Sequence, residues 1–302
     1  MPACLLECVP NVSEGRDRTR LARLAAPIEC VAGVRLMNVH ADPDHHRAVL
    51  SFLGPPAAVE TAAVALAEAV VELLDLSTHH GSHPRIGALD VLPFVPLASV
   101  SMPETVALAR RVGATLGERH RLPIYFYGQA ATSEARRRLP DVRRDGYGGL
   151  EARLRSLEGR PDAGPARFDP RSGAILVGAR DILVAFNVWL ETEDLGVARA
   201  VARLVRESGG GLPAVQALGV PLPSRGIVQV SMNLLDYRIT PIPVVFDRVR
   251  HEAVRHGVAV RRGELVGLAP RAAFAGRTPD SVGLDDFTPD LLLDTHLEAA
   301  LS

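Results

Sequence analysis

The chain of 302 residues contains no lysine, and all 34 of its lysine-or-arginine positions are arginine. Without a lysine amine there is no Schiff-base nucleophile and no P-loop phosphate anchor. The bias fits codon usage in a GC-rich genome. Cysteine is scarce as well. Cys4, Cys8 and Cys30 make 3, an odd number that provides no disulfide framework. The N-terminal stretch MPACLLECVPNVSEGRD lacks a charged leader followed by an apolar run. Reduced thiols and a cytoplasmic location are therefore expected. Cys4 and Cys8 have a spacing that a metal could use, but no second pair follows, so core or strand-end roles are expected. Charge imbalance is missing too. A net charge of -1 leaves no electrostatic footprint for nucleic acid or a membrane surface. The longest apolar stretch, Ala57–Leu76, is broken by Glu60, Glu68, Glu72 and Asp75, which marks an amphipathic helix rather than a membrane span. A Gly-rich phosphate loop, a Gly-x-Ser-x-Gly elbow and a His-Glu-x-x-His helix are all absent, and Gly209–Gly211 reads as a flexible turn.

What is present is a soluble globular composition, 47% hydrophobic, and enough length for two domains. Cys4–Val9 predicts a strand, Arg16–Ala25 a helix, Val34–His40 and Arg47–Gly54 two strands joined by the loop Ala41–His46, Ala57–Leu76 a helix, and Asp90–Pro96 a strand. The order is β-α-β-β-α-β. The second half repeats it: strand Asp181–Leu190, helix Asp194–Glu207, strands Val215–Val220 and Gly226–Asp236, helix Val244–His256, strand Glu264–Leu268. The expected class is α+β, two ferredoxin-like βαββαβ subdomains with a ligand cleft between them, divided as residues 1–180 and 181–302. Extra elements lie between the halves: helix Pro103–Arg119, strand Ile124–Tyr127, and helical segments Glu134–Leu139 and Tyr147–Leu157. Gly159–Gly173, dense in Gly, Pro, Arg and Asp, reads on residue types as a bare linker. The tail, Ala275–Ser302, ends in a short amphipathic segment, Leu291–Leu301, that docks on the body or on a second subunit.

The most informative stretch is Asp75–Pro96, DLSTHHGSHPRIGALDVLPFVP. His79, His80 and His83 fall within five residues, followed by Arg85. Imidazoles and a guanidinium need partners or water, so this is a loop of proton-transfer groups set before a buried strand. Of the 10 histidines, His40, His45 and His46 belong to the strand end and hairpin loop of the same half. The two loops can meet on one edge of an α/β sandwich, where histidine suits proton transfer near neutral pH. HADPDHH also offers Asp42, Asp44, His45 and His46 as metal ligands, with His79 or His83 completing a set. In Asn11–Asp17, Ser13 is expected to cap the following helix, with Glu14 and Asp17 favouring its first turn, and a role of the segment in binding is the even alternative. Asn187 in AFNVWL and Asn233 in SMNLLDY read as matching positions in the two repeats. Each amide needs a partner, either backbone across the inter-domain seam or a ligand.

ECVPNVSEGRD, DPDHHRAVLSFLGPP, HHGSHPRIGALDVLPFVP, IYFYGQAA, GAILVGARDILVAFNVWL and VSMNLLDYRITPI occur in the order seen in glutamate formimidoyltransferases, the formiminotransferase domains of histidine degradation. The resemblance covers residues 4 to about 270, without the cyclodeaminase domain to which some members are fused. It implies transfer of a formimino (or formyl) group from N-formimino-L-glutamate to N5 of tetrahydrofolate, a co-substrate, in one-carbon metabolism. No metal is expected. The family's catalytic histidine lies in Gly-Glu-His-Pro-Arg, which matches Gly81–Arg85 and makes His83 the expected base. The family's folate-contacting stretch matches Gly164–Gly173, which turns the linker reading into a ligand wall. The substrate- and folate-binding residues implied or read are His40, His46, Arg47, His79, Arg85, Gly164, Pro165, Arg167, Asp169, Arg171, Ser172, Gly173, Asn187 and Asn233. Small-molecule substrates and a homodimer are expected, with no nucleic acid and no membrane. Three positions depart from the family pattern: Ser82 replaces the usual glutamate, His40 an aspartate and His46 an asparagine. Loss of the glutamate is expected to let His83 titrate lower. The competing readings are a metal-dependent hydrolase of a formimino or amide substrate, and a non-catalytic folate-binding paralogue.

Overall fold

A computed structural model describes residues 4–302 and shows eleven strands and eight α-helices among them. The chain divides into two compact units, the first ending at Arg180 and the second beginning at Asp181. In chain order the first holds β1 (Leu5–Cys8), β2 (Asn11–Val12), α1 (Arg18–Glu29), β3 (Arg35–Asp42), β4 (Arg47–Gly54) and α2 (Pro56–Leu73). It continues with β5 (Leu89–Ala98), α3 (Met102–His120), β6 (Ile124–Gly128), α4 (Leu139–Val142), α5 (Gly146–Arg155) and β7 (Ile175–Ala179). β1 and β2 both pair antiparallel with β4 and β5. They are one strand line broken at Val9–Pro10, where proline has no N–H to give the ladder. Across the sheet the order runs β3, β4, β1/β2, β5, β7, β6, with the last three parallel.

Alternation along the strands sets the layers. Leu6, Leu50, Phe52, Leu92 and Phe94 turn to one face and meet Leu24 and Ile28 of α1, Val59 and Leu66 of α2, and Leu108 and Val112 of α3. Each such side chain, fully buried, stabilises the fold by roughly 1.5–3 kcal/mol. On the other face, at the β5–β7–β6 end, Val91, Tyr125, Tyr127 and Leu176 form a smaller core with Val142, Leu150 and Leu154. β7 and β2 were not anticipated. β7 is a short apolar run of five residues followed within four residues by β8, and β2 has only two residues.

The second unit holds β8 (Val184–Leu190), α6 (Leu195–Val205), β9 (Val215–Leu222), β10 (Ile227–Leu234), α7 (Ile242–Arg255), β11 (Val260–Val266) and α8 (Leu293–Leu301). Its antiparallel sheet runs β11-β8-β10-β9. Phe186, Val188, Val230 and Met232 pack with Val201, Val245 and Phe246 into its core. The tail docks on this unit. Leu284 and Leu292 join the core, the Ala269 N–H donates to Leu291 O at 3.0 Å, and the Leu293 N–H donates to Ala269 O at 3.0 Å. Among the described residues no helix is long and apolar enough to cross a membrane.

Two expectations are corrected here. Asp17, not Ser13, caps α1, accepting from the Thr19 and Arg20 N–H groups. Ser13 lies in the bend between β2 and α1 and donates its hydroxyl to Gly87 O at 2.8 Å. Asn187 and Asn233 do not occupy two repeats. Both lie in the second unit, on the adjacent strands β8 and β10. Asn187 Nδ2 donates to Glu264 Oε2 at 2.8 Å, within its own sheet.

Glu7 interrupts the apolar register of β1 between Leu53 and Val95 and is only 5% exposed. Burial pushes its carboxyl up to about 7, against the pull of the Arg180 guanidinium. The folded chain then holds a proton that the unfolded chain releases from about pH 4.5 upward. Stability falls as pH rises through that window, up to about pH 7. Glu7→Gln removes the charge, so its stability advantage over wild type should grow by up to about 3 kcal/mol from mildly acidic to mildly alkaline pH. Denaturant titrations at the two pH values measure it. A difference independent of pH would show that Glu7 does not ionise in this range.

Candidate active site

The β3–β4 hairpin and the loop after α2 are stitched together. Asp42 Oδ1 accepts the His45 N–H at 2.7 Å, a side-chain turn that tightens the hairpin. His46 then adopts φ 50, a left-handed conformation that is uphill for a non-glycine residue by roughly 1–2 kcal/mol. Neighbouring bonds hold it there. The N–H and hydroxyl of Ser82 both donate to Asp44 O at 3.0 Å. Arg16 spans the two loops, with Nε to Pro43 O at 2.9 Å and Nη2 to His80 O at 3.0 Å. Gly81 permits the approach, because a Cβ there would stand 2.2 Å from His45 O.

Two pairs of rings result. His46 stacks on His79 with centroids 4.1 Å apart, and His45 tilts against His83 at 5.4 Å. His79 Nε2 donates to His46 O at 2.7 Å. Burial lowers the His79 pKa to about 4, helped by Arg85, His46 and Arg16 and opposed by the His46 carbonyl. His46 Nε2 lies 3.3 Å from Glu14 Oε1, and its Nδ1 lies 3.1 Å from His80 O. Burial of Glu14 would raise its pKa. The His46 bond and the Arg16 and Asp17 N–H groups outweigh that and hold it near 2. His83 is half-buried. Desolvation first, then the Arg47 and Arg143 guanidiniums and His45, push its pKa well below the ordinary imidazole value. Its Nδ1 donates to Pro84 O at 2.7 Å. A carbonyl only accepts, so Nδ1 carries the hydrogen and Nε2 the lone pair. This is a neutral imidazole with its basic nitrogen set.

Below His83 lies a buried charge cluster. Arg47 Nη1 and Arg143 Nη2 both reach Asp90 Oδ2 at 2.6 Å, and the Ile86 N–H donates to Asp90 Oδ1 at 2.8 Å. Asn11 Oδ1 accepts Arg47 Nε at 3.1 Å and Nη2 at 2.8 Å. Arg85 Nη2 donates to His79 O at 2.6 Å, and its carbonyl accepts the Tyr147 N–H at 2.9 Å.

The Gly159–Gly173 stretch is no bare linker. It joins α5 to β7 inside the first unit, pinned on both sides. Gly164, at φ 74, crosses α3 where Gly117 leaves room; a Cβ on Gly117 would meet Gly164 N at 2.8 Å. The Ala88 N–H donates to Ser172 O at 2.9 Å and the Leu76 N–H to Arg171 O at 2.8 Å, while the Tyr147 hydroxyl donates to Pro170 O at 2.6 Å. Asp169 Oδ1 accepts the Arg171 and Ser172 N–H groups. Arg171 Nε stands 3.5 Å from Asp75, Arg167 is exposed, and Pro165 O accepts the Arg167 N–H.

The structure therefore brings His46, Arg47, His79, His83 and Arg85 together, with Gly164–Gly173 tied to the same loop. His40 lies on β3, opposite Val49 of β4. Asn187 and Asn233 belong to the other unit. Ser82 faces the hairpin, and the low titration of His83 comes with burial, the Arg47 and Arg143 guanidiniums and His45. Asp90, Arg143 and Tyr147 were not foreseen as site residues, while Asn11 and Glu14 belong to the segment read as a cap or a binding element. Asp90 carried a signal, a single charge in the apolar run GALDVLPF, but Arg143 sits in a polar segment that reads as surface. Among the described residues no group of three or more His, Cys, Asp or Glu side chains is placed to hold a metal ion.

The N-terminal subdomain of the formiminotransferase domain matches residues 5–180, and the formiminotransferase domain matches residues 185–277. The chain belongs to the formiminotransferase family. Glutamate formimidoyltransferase of Thermoplasma acidophilum is 39% identical over 298 residues, 98% of each chain. That of Streptococcus pyogenes serotype M1 is 35% identical over 296 residues, covering 98% of this chain and 99% of the relative. Formimidoyltransferase-cyclodeaminase of Gallus gallus is 41% identical over 279 residues, 90% of this chain and 51% of that longer protein.

In this formiminotransferase, removing the Asp90 charge leaves two buried guanidiniums facing each other. Asp90→Asn should destabilise the fold by about 3–5 kcal/mol, the scale of a broken buried ion pair. Denaturant unfolding checks it. A loss under about 1 kcal/mol would mean that the guanidiniums find other partners.

Proposed function

We propose that the chain is a glutamate formimidoyltransferase, moving a formimino group from N-formimino-L-glutamate to N5 of tetrahydrofolate, with His83 as the proton carrier. One observation carries the assignment of His83: its ring is held neutral, with Nδ1 on the Pro84 carbonyl and Nε2 left as acceptor. N5 attacks the amidine carbon of the donor, forming the N5–C bond. Nε2 of His83 takes the N5 proton. The bond between that carbon and the glutamate nitrogen then breaks, and His83 returns the proton to the departing amine. One proton moves from N5 to the leaving nitrogen, and the imidazole ends as it began.

Tetrahydrofolate brings a flat pterin and an anionic glutamate tail. Gly164–Gly173 suits the folate side: glycines let backbone approach a ring, and the exposed Arg167 and Arg171 offer guanidiniums to carboxylates. The hydrogen bonds between Ser172, Arg171 and the 76–88 segment place this stretch beside the loop of His83. Arg85, His79 and His46 keep that loop in position. The strand orders β3-β4-β1/β2-β5 and β11-β8-β10-β9, each with two helices on one face, support a ferredoxin-like reading of both units, with β6 and β7 as additions to the first. Free thiols at Cys8 and Cys30 suit a cytoplasmic setting.

His83→Ala should lower turnover about a hundredfold or more without loss of fold, because the ring contributes little core. In wild type the acidic limb of kcat/KM should lie below the ordinary imidazole range. A base works deprotonated, and the lowered pKa keeps it so at mildly acidic pH. Near-normal turnover of His83→Ala at saturating formiminoglutamate and tetrahydrofolate would remove His83 from the mechanism.

Replacing Arg167 and Arg171 together by alanine should weaken tetrahydrofolate binding at least tenfold, the loss expected for charge-assisted contacts to carboxylates. The melting temperature should change little, since both side chains are exposed. Unchanged affinity in titration calorimetry would move the folate tail elsewhere.

A further inference from the structure

Asp90 serves two guanidiniums with one carboxylate. The Asp90 side chain is 0% exposed, that of Arg47 9% and that of Arg143 13%. The cluster thus carries one positive charge more than it can neutralise. Sealed from water, such a surplus is costly until an anion offsets it. Arg47 places two further donors on Asn11, whose amide oxygen is neutral, and keeps two of its five N–H groups for another acceptor. Arg143 Nε is buried and has no hydrogen-bond partner among the described residues. The same carboxylate anchors the loop of His83, through the Ile86 N–H. His83 is close enough for both guanidiniums to act on its ring.

We propose that Arg143, together with Arg47, forms a carboxylate-binding subsite beside His83 that takes the α-carboxylate of the formimino donor. The proposal rests on the transferase reading above and deepens it. In N-formiminoglutamate the α-carboxylate is attached to the carbon that bears the reacting nitrogen. The side-chain carboxylate is two further carbons away. An anion site next to the proton carrier therefore fits the α-carboxylate, and it leaves the distal one to other contacts. A guanidinium presents a planar fork that matches a carboxylate, which an ammonium cannot do. Recognition there makes the enzyme selective for N-formimino α-amino acids, and Arg143 a specificity-determining residue. It also fixes the leaving nitrogen relative to Nε2 of His83.

The test compares N-formiminoglutamate with N-formimino-4-aminobutyrate, which keeps the distal carboxylate and lacks the α-carboxylate. Each is titrated calorimetrically without folate and assayed at saturating tetrahydrofolate. Wild type should prefer formiminoglutamate by about a hundredfold in both readouts, the scale of a buried charge pair. In Arg143→Met the preference should shrink to within about fivefold, with KM for the donor raised and KM for tetrahydrofolate within about threefold of wild type. Arg143→Lys keeps the charge and loses the fork, so it should recover part of the preference. It also serves as the test variant if the methionine form unfolds. Equal use of the two donors by wild type, or a preference that survives intact in Arg143→Met or, should that fail to fold, in Arg143→Lys, would overturn the proposal. Should wild type bind formiminoglutamate through Arg143 yet transfer nothing to tetrahydrofolate, the subsite would stand and the transferase reading would fall.

Discussion

One buried carboxylate organises the first unit. Asp90, at the head of β5, gathers Arg47 from β4, Arg143 from the turn between α4 and α5, and the Ile86 N–H from the loop before its own strand. Those groups are far apart in sequence and would repel or remain unsatisfied without it. Ion pairs this deep offset their own desolvation only when geometry is good and further hydrogen bonds complete them. Asn11 completes Arg47. The arrangement therefore specifies where the loop of His83 begins, and the imidazole inherits both its position and its electrostatic environment from the same cluster.

A second constraint acts above it. The hairpin carrying His45 and His46 and the loop carrying His79 to His83 hold each other through backbone and side-chain bonds, with Arg16 across the seam. The protonation pattern follows. His79 and His83 are kept neutral by burial and nearby cations. His46 faces two oxygen acceptors, one of them the Glu14 carboxylate. Several imidazoles within one small region thus have different roles, set by what each ring nitrogen meets.

The family departures fit this frame. Ser82 donates its N–H and its hydroxyl to the hairpin carbonyl of Asp44, and only the hydroxyl bond depends on the serine side chain. His46 tolerates a backbone conformation that glycine or asparagine takes more readily, and in return it stacks on His79 and reaches Glu14. Both side chains take part in the contact between the two loops. Neither alters the group that binds Nδ1 of His83.

The sequence by itself determined the alternation of apolar residues, the two βαββαβ orders, and a histidine-rich loop before an apolar strand. Those are local signals: side-chain period reports secondary structure, and imidazoles in a stretch bounded by Gly and Pro report a loop. The motifs were long enough to point to the family and to His83. The rest was decided by tertiary structure. Asp90 and Arg143 are separated by 53 residues, and only the folded sheet brings them into contact. Ser13 matched a capping pattern, yet the helix begins only at Arg18 and Asp17 takes the cap. Gly159–Gly173 has the composition of a linker, but hydrogen bonds from distant segments pin it to the first unit. Asn187 finds its partner on a neighbouring strand 77 residues away. Patterning along the chain decides which residues leave water. Which buried charges meet is decided by topology, because long-range electrostatic pairing has no period in the sequence.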